Sequence, residues 1–125
     1  MEPMSRIVSI HTELRDREVL QECLEHLNCQ VLFQEGGIKM RGAETPVQLL
    51  VHAPFGSFGF RQTPAGTYEL VGDDRILSRQ QGFLQRLKQQ YAYRKVLKDA
   101  NAAGYNLVHE EIGPDQTIKL VIRKW

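Results

Sequence analysis

The alternation of hydrophobic and polar positions predicts that the chain begins with a strand and continues into an amphipathic helix. From Ile7 to Glu13 the residues alternate with a period of two, which is typical of a strand with two different faces. Apolar residues then recur at helical spacing, and Asp16 stands where a side chain would cap the first turn. Asn28 favours the end of this helix, because asparagine adopts the left-handed backbone readily.

The middle of the chain is predicted to form short strands, and the later part a long helix and a hairpin. The strands are expected at residues 30–34, 38–41, 47–52, 68–71, 107–112 and 117–123, and around Phe60. The first two of these are expected to form a hairpin, with Glu35-Gly36-Gly37 as its turn. The helix is expected from Ser78 to Ala103. Ser78 and Gln81 have the spacing of a capping box, and Gly104 provides a stop.

These elements predict an α+β fold, with one mostly antiparallel sheet and two helices on one face. Strands that follow one another directly favour antiparallel pairing, and two helices are too few to cover both faces of the sheet. A ferredoxin-like topology is compatible with this order. No linker, repeat or low-complexity tract divides the 125 residues, so we expect a single α+β domain over residues 1–125.

The long helix carries two apolar stripes instead of one. Phe83, Leu87 and Tyr91 share a face, whereas Tyr93 projects roughly 160° away from Tyr91 at 3.6 residues per turn. The two tyrosines therefore cannot both face one sheet. We expect Tyr91 in the core, and Tyr93 against the C-terminal segment or a second subunit.

Charge and hydropathy limit the classes of partner. The chain has 16 Lys and Arg against 15 Asp and Glu, so no overall charge attracts nucleic acid or an anionic membrane. No apolar run reaches the roughly 20 residues of a membrane helix, and the first residues lack the basic and apolar stretches of a signal peptide. We expect a cytoplasmic protein for which neither membranes nor nucleic acids are the partner.

Two sets of residues have the composition of metal sites. Cys23, His26 and Cys29 have a spacing that zinc could use, but Cys23 lies in the apolar stripe of the first helix, where cysteine acts as a small hydrophobic residue. Three histidines on predicted strands would form a site only if the strand order brought them together: His11, His52 and His109. No serine lies in a nucleophile elbow. We therefore expect no metal, no cofactor and no enzymatic reaction.

An aromatic segment allows two interpretations. Phe58-Gly59-Phe60 resembles the centre of an RNA-recognition motif, in which aromatic side chains of a strand stack on bases. Under that interpretation, Phe58 and Phe60 bind RNA or a small ligand. The preceding residue is Ser57 rather than a basic residue, and a glycine-rich hairpin whose rings fill the core explains the same pattern.

Basic residues are concentrated in the long helix and at the C-terminal end. Residues 75–98 contain seven Lys and Arg and no acidic residue, whereas residues 2–35 contain seven acidic residues. A basic and aromatic surface of this kind is typical of a docking site for another protein. We expect such a site to be formed by Tyr93, Arg94, Lys95, Arg123 and Trp125. An ordinary solvated face explains the charges equally well.

Several segments of the chain form a set that is specific enough to compare with known families: Gln90–Val96, Gly104-Tyr105, Glu110-Glu111 and Asp115–Trp125, with Met4-Ser5 near the start. Together they resemble the hypothetical chloroplast reading frame thirty-five family of cyanobacteria and red-algal plastids. Arg6-Ile7 stands where the family usually has His-Phe. The resemblance implies a small α+β domain in a bacterial or plastid compartment, with no reaction assigned to it. Relatives encoded near ATPases of the AAA class imply an accessory role.

Together these observations favour a small protein-binding or accessory module in the cytoplasm or the plastid stroma. Its partner would be another protein, such as an AAA-class ATPase or a small co-encoded protein, or a second copy of the chain. The alternative is an RNA- or small-ligand-binding domain that uses the strand of Phe58 and Phe60. Deleting Lys124-Trp125 is expected to weaken partner binding while the domain still melts cooperatively.

Overall fold

The computed structural model describes residues 6–114 and 118–124. Its strands are β1 (Ile7–His11), β2 (Gln30–Ile38), β3 (Val47–Ala53), β4 (Gly56–Gln62), β5 (Tyr68–Asp73), β6 (Tyr105–Ile112) and β7 (Ile118–Lys124). Its helices are α1 (Arg17–His26), α2 (Asp74–Leu77) and α3 (Gln81–Ala102).

Five strands form one antiparallel sheet in the order β1-β5-β4-β3-β2, and β6 and β7 form a separate antiparallel pair. The predicted α+β class is confirmed. The topology differs from a ferredoxin-like order, because the strand that follows the long helix pairs with β7 and does not return to the five-stranded sheet. This order places β1 and β2 at the two edges of the sheet.

The segment after α1 is one long strand rather than the predicted hairpin of two short ones. β2 has nine residues and continues through Gly36 and Gly37. Its pairing with β3 shifts register between Phe33 and Ile38, so the glycines lie in an irregular part of the strand instead of a turn. Gly37 has a φ of 98°, a backbone conformation that glycine adopts without the steric cost of a side chain.

The long helix begins later than predicted, because a short helix precedes it. The Asp73 carboxylate accepts a hydrogen bond from the Arg75 amide at 2.8 Å, which starts α2. The Ser78 hydroxyl donates to the Arg75 carbonyl at 3.4 Å, so it does not form the predicted capping box. α3 begins after Gln80, which provides no side-chain cap.

The main core lies between one face of the five-stranded sheet and the helices α1 and α3, as the sequence predicts. It contains the α1 stripe Val19, Leu20, Cys23 and Leu24 and the rings of Phe58, Phe60 and Phe83. α1 begins at its predicted cap, since the Asp16 carboxylate accepts from the Val19 amide at 3.2 Å. Asn28 follows the helix with a φ of 67°, the left-handed conformation expected of it.

The two tyrosines of α3 lie in different environments. Tyr91 is buried in the core, which confirms its prediction, and Tyr93 is half-buried. The Tyr91 hydroxyl accepts hydrogen bonds from the Arg15 amide at 3.1 Å and the Asp16 amide at 2.8 Å. A side chain of α3 thus satisfies two amides just before α1. The two helices are joined by this contact as well as by apolar packing.

Replacing Tyr91 with phenylalanine is therefore expected to destabilise the fold without removing the ring. The change leaves the amides of Arg15 and Asp16 without their acceptor, which costs about 1–3 kcal/mol of unfolding free energy. Urea denaturation of the wild-type chain and Tyr91→Phe measures the difference. A loss below about 0.5 kcal/mol would mean that these amides find another partner as good as the tyrosine.

Candidate functional site

The face of the sheet opposite the helices carries an open groove. The segment between β2 and β3, residues 39–46, crosses this back face and leaves a groove of about 1260 Å³ beside it. Met40 from this segment packs on Val47 and Val71 of the sheet, with Leu50 beside them. The groove therefore has an apolar floor, although it lies outside the main core.

A polar network spans the groove. The Arg61 guanidinium donates to the Glu69 carboxylate through Nη2 at 2.9 Å and through Nε at 3.3 Å. The same group donates to the Ser9 hydroxyl at 3.1 Å and to the Thr45 hydroxyl, which ties β1, β4, β5 and the 39–46 segment together. Several donors with fixed positions make Arg61 a rigid cation on this face.

A histidine and a serine form a second polar contact in the groove. His52 on β3 lies directly opposite Ser57 on β4, and the Nδ1 atom is 2.7 Å from the hydroxyl oxygen. Both residues are exposed. Among the described residues, no carboxylate hydrogen-bonds to the His52 ring, so the pair lacks the orienting acid of a hydrolytic triad. The contact is suited to hydrogen-bonding a ligand.

Phe58 and Phe60 face away from this groove and are fully buried. The Phe58 ring stacks on Phe55 with centroids 5.8 Å apart and meets the ring of Phe83 edge-on at 5.9 Å. A base or small ligand therefore cannot reach these rings at the surface, and the structure contradicts their role in the RNA- or small-ligand-binding alternative. The opposite face of the same strand presents Ser57 and Arg61 to the groove.

The basic residues expected in a docking site contact the acidic helix of the same chain. Lys95 lies 3.4 Å from the Asp16 carboxylate and 3.0 Å from Asp99, and Arg94 lies 3.7 Å from Glu22. The acidic and basic segments seen in the sequence therefore meet within one molecule, along the contact between α1 and α3. Trp125 and the side chain of Arg123 lie outside the part of the chain that the structure describes.

Asp16 is the centre of this charge contact. Burial alone would raise its pKa, but the hydrogen bond from Lys98 at 2.7 Å and the Val19 amide outweigh that effect and hold the pKa below its usual value. The pKa of Lys98 is raised in turn, first by its hydrogen bond to Asp16. The contribution of this contact to stability is present above the ordinary pKa of an aspartate and is lost as the pH falls through the lowered one.

The outer edge of β2 is a surface that the sequence did not predict. β2 has a neighbour on one side only, and its residues Leu32 and Phe33 are 53% and 41% exposed. The Arg17 guanidinium lies 4.1 Å from the centre of the Phe33 ring and covers part of it. The prediction of a hairpin over residues 30–41 concealed this edge. The uncharged run of residues 30–34 was the signal that could have revealed it.

Comparison with known proteins places the chain in a family. A family model described as "Protein of unknown function (DUF1257)" matches residues 23–121, most of the chain. The chain belongs to the DUF1257 family. The match includes β2, β3, β4 and β5 and therefore most of the groove, with Arg61 and the His52–Ser57 contact.

Relatives of this DUF1257 chain carry the name "Uncharacterized protein ycf35". The one from Cyanophora paradoxa is 30% identical, and those from Guillardia theta and Pyropia yezoensis are 27% and 24% identical. Each alignment covers 98% of both chains. The resemblance to the hypothetical chloroplast reading frame thirty-five family is confirmed. No solved structure matches. Among the helices that the structure describes, none is long and apolar enough to cross a membrane.

The residues considered for a metal site do not come together where the structure describes their side chains. Cys23 and Cys29 are both buried with free thiols, and no group of three metal-binding side chains occurs among the side chains that are described. Burial raises the pKa of the Cys23 thiol to about 11, so the thiolate that zinc requires is disfavoured. β5 and β4 lie between the strands of His11 and His52. The side chain of His109 lies outside the described residues.

Cys23 is expected to behave as a core residue. Cys23→Ala should lower the unfolding free energy by about 1–2 kcal/mol, because it truncates a fully buried side chain. Chemical denaturation measures this loss, and metal analysis of the purified protein should give no stoichiometric zinc. One zinc per chain that disappears in Cys23→Ala would overturn the prediction.

Proposed function

We propose that this protein is a protein-binding module and that the outer edge of β2 is its binding element. The observation that carries the proposal is the exposure of Leu32 and Phe33 on a long edge strand. An exposed edge has unpaired amides and carbonyls that can add a strand from another chain. Proteins usually protect such edges with charges, prolines or very short strands, and residues 30–34 contain no charge and no proline.

The sequence of this edge favours a second copy of the chain as the occupant. If two β2 strands pair antiparallel with Leu32 opposite itself, Val31 lies opposite Phe33 and Gln30 lies opposite Gln34. Apolar residues then meet apolar residues, and amide side chains meet amide side chains. No like charges face each other in this register, which would otherwise oppose the pairing.

The same strand limits how far the pairing extends. The register shift after Phe33 makes the backbone irregular, so the regular part of the edge is the short run at residues 30–34. An interface of this size lies at the small end for protein complexes, and we expect reversible association in the micromolar range or weaker. β1, at the other edge, ends at His11, whose ring contacts the exposed Glu13 carboxylate at 3.5 Å, so a polar group stands at this edge instead of an apolar run.

A second surface for a different protein is proposed on α3. Val96 on α3 is 45% exposed and Val121 on β7 is 42% exposed, and Tyr93 is half-buried. Arg94 and Lys95, which contact the acidic residues Glu22 and Asp16 of the same chain, remain proposed parts of this surface together with Arg123 and Trp125. An AAA-class ATPase or a small co-encoded protein would be the kind of partner it meets, in the cytoplasm or plastid stroma.

Sedimentation of the purified chain over a range of concentrations tests the role of β2. Leu32→Lys places two lysines opposite each other and is expected to weaken self-association at least about tenfold. The matched control is Ile10→Lys, because Ile10 is 38% exposed on the opposite edge strand and the same charge is introduced. Circular dichroism checks that both variants are folded.

The outcomes separate the proposed surfaces. A concentration-dependent dimer that Leu32→Lys dissociates and Ile10→Lys preserves supports the proposal. A chain that stays monomeric at millimolar concentration would overturn it, as would equal losses in both variants. A dimer that persists in Leu32→Lys and dissociates in Val96→Lys would assign self-association to α3 instead.

A further inference from the structure

We propose that the back-face groove is a binding site for a small anion that carries an apolar body. The groove combines an apolar floor with several cations at its rim, and this combination is independent of the edge of β2. The family description and the names of the relatives assign no ligand to it.

Three cations at the rim have no counter-ion in the described part of the chain. Arg6, Lys39 and Arg41 line the groove and are exposed, and none of them forms an ion pair with another described residue. The acidic residues in the lining are Glu44 and Asp73, and the Asp73 carboxylate already contacts Arg75 at 3.7 Å. Neighbouring cations repel one another, and an anion bound among them would relieve that repulsion.

The rigid polar groups lie between these cations and the floor. Arg61 is held by Glu69, Ser9 and Thr45, which together accept from four of its five N–H groups, so it leaves one directed N–H donor for the groove with little additional net charge. His52 and Ser57 share one hydrogen bond and keep further hydrogen-bonding capacity. An anionic head group could therefore be oriented as well as attracted.

The floor favours a ligand that is more than a bare anion. Met40 and Val71 are buried beneath the groove, and Leu50 is half-buried beside them. Gly59 lies on the same face between Leu50 and Val71, and the absence of a side chain there makes room for Val47, which packs with Met40 and Val71 in the floor. Concave sites with apolar linings and a few polar groups are typical of small-molecule sites.

A matched pair of fluorescent probes tests whether the site requires both the apolar body and the negative charge of the ligand. 8-Anilinonaphthalene-1-sulfonate has an apolar body with a negative charge, and N-phenyl-1-naphthylamine has the same body without the charge. We expect the sulfonate to bind at one saturable site and about tenfold more tightly than the neutral probe, since only the sulfonate engages the cations. Equal affinity for both probes, or no saturable binding of either, would overturn the proposal.

Charge variants locate the site. The double variant Lys39→Gln/Arg41→Gln is expected to weaken sulfonate binding about tenfold, because it removes two of the rim cations. The matched control is Arg86→Gln/Lys88→Gln, which removes two exposed cations with the same spacing from α3. The control should bind like the wild type. Equal losses in both double variants would mean that the probe senses only net charge, which would contradict a site in the groove.

A variant that fills the groove with a bulky side chain provides an independent test. Ser57 is exposed in the groove, so Ser57→Tyr places a ring in the space where the apolar body is proposed to bind. We expect this variant to lose most of its affinity for the sulfonate while circular dichroism and the melting temperature stay close to those of the wild type. Undiminished binding in a folded Ser57→Tyr chain would place the probe elsewhere and overturn the proposal.

Discussion

Replacing Phe58 with alanine is expected to lower the free energy of unfolding by about 3–5 kcal/mol. Phe58 is fully buried at the centre of an aromatic cluster with Phe55, Phe60 and Phe83. The truncation removes its apolar contacts and leaves a cavity that the sheet and α3 cannot easily fill. Urea denaturation, monitored by the far-ultraviolet circular dichroism of the backbone, measures this loss of unfolding free energy.

The control for this prediction is Phe33→Ala. Phe33 is 41% exposed on the edge strand, so its truncation should cost much less, about 1 kcal/mol or below. The comparison also separates the two interpretations of the aromatic strand. If Phe58→Ala left stability unchanged and instead abolished binding of RNA or a small ligand, the ring would belong to a binding surface and the core assignment would be wrong.

Replacing Gly59 with alanine is expected to lower the free energy of unfolding by about 1–3 kcal/mol, although it adds a single methyl group. A Cβ at this position would lie 2.8, 2.9 and 3.0 Å from three side-chain carbons of Val47. Val47 is fully buried on the back face, so it cannot move away without disturbing its contacts with Met40 and Val71.

The cause of that loss can be isolated with a second substitution. Val47→Ala removes the methyl groups that a Cβ on residue 59 would meet. The double variant Gly59→Ala/Val47→Ala is therefore expected to lose less stability than the sum of the two single variants. Strictly additive losses would mean that Gly59 matters for its backbone and not for the space beside Val47.

Local signals were sufficient for α1 and for the face that it buries. A cap at Asp16, a stripe of apolar residues and a left-handed Asn28 all concern neighbours along the chain, and the structure contains each of them. The same kind of signal was misleading at Gly36 and Gly37. Two glycines fit a turn and an irregular strand equally well, and pairing with β3 decides between them.

The groove and the charge contacts depend on the arrangement of elements, which the sequence did not predict. Arg6, Lys39 and Arg61 are far apart in sequence and line one groove because β1, β5, β4 and β3 are neighbours. The separation of acidic and basic segments was visible in the sequence, but its meaning changed once α1 and α3 were found to contact each other. The role of Trp125 remains a prediction.

Oxidative cross-linking of Leu32→Cys tests the central claim, self-association through β2, most directly. In the proposed register residue 32 lies opposite its own copy, where the Cα atoms of paired strands are about 5 Å apart and a disulfide can form. Gln34→Cys is the matched control, because its two copies would be roughly 14 Å apart along the paired strands. The native cysteines are buried, and burial raises the pKa of both thiols. We predict a covalent dimer for Leu32→Cys and none for Gln34→Cys or the wild type, whereas equal cross-linking of both variants, or of neither, would contradict the proposed pairing.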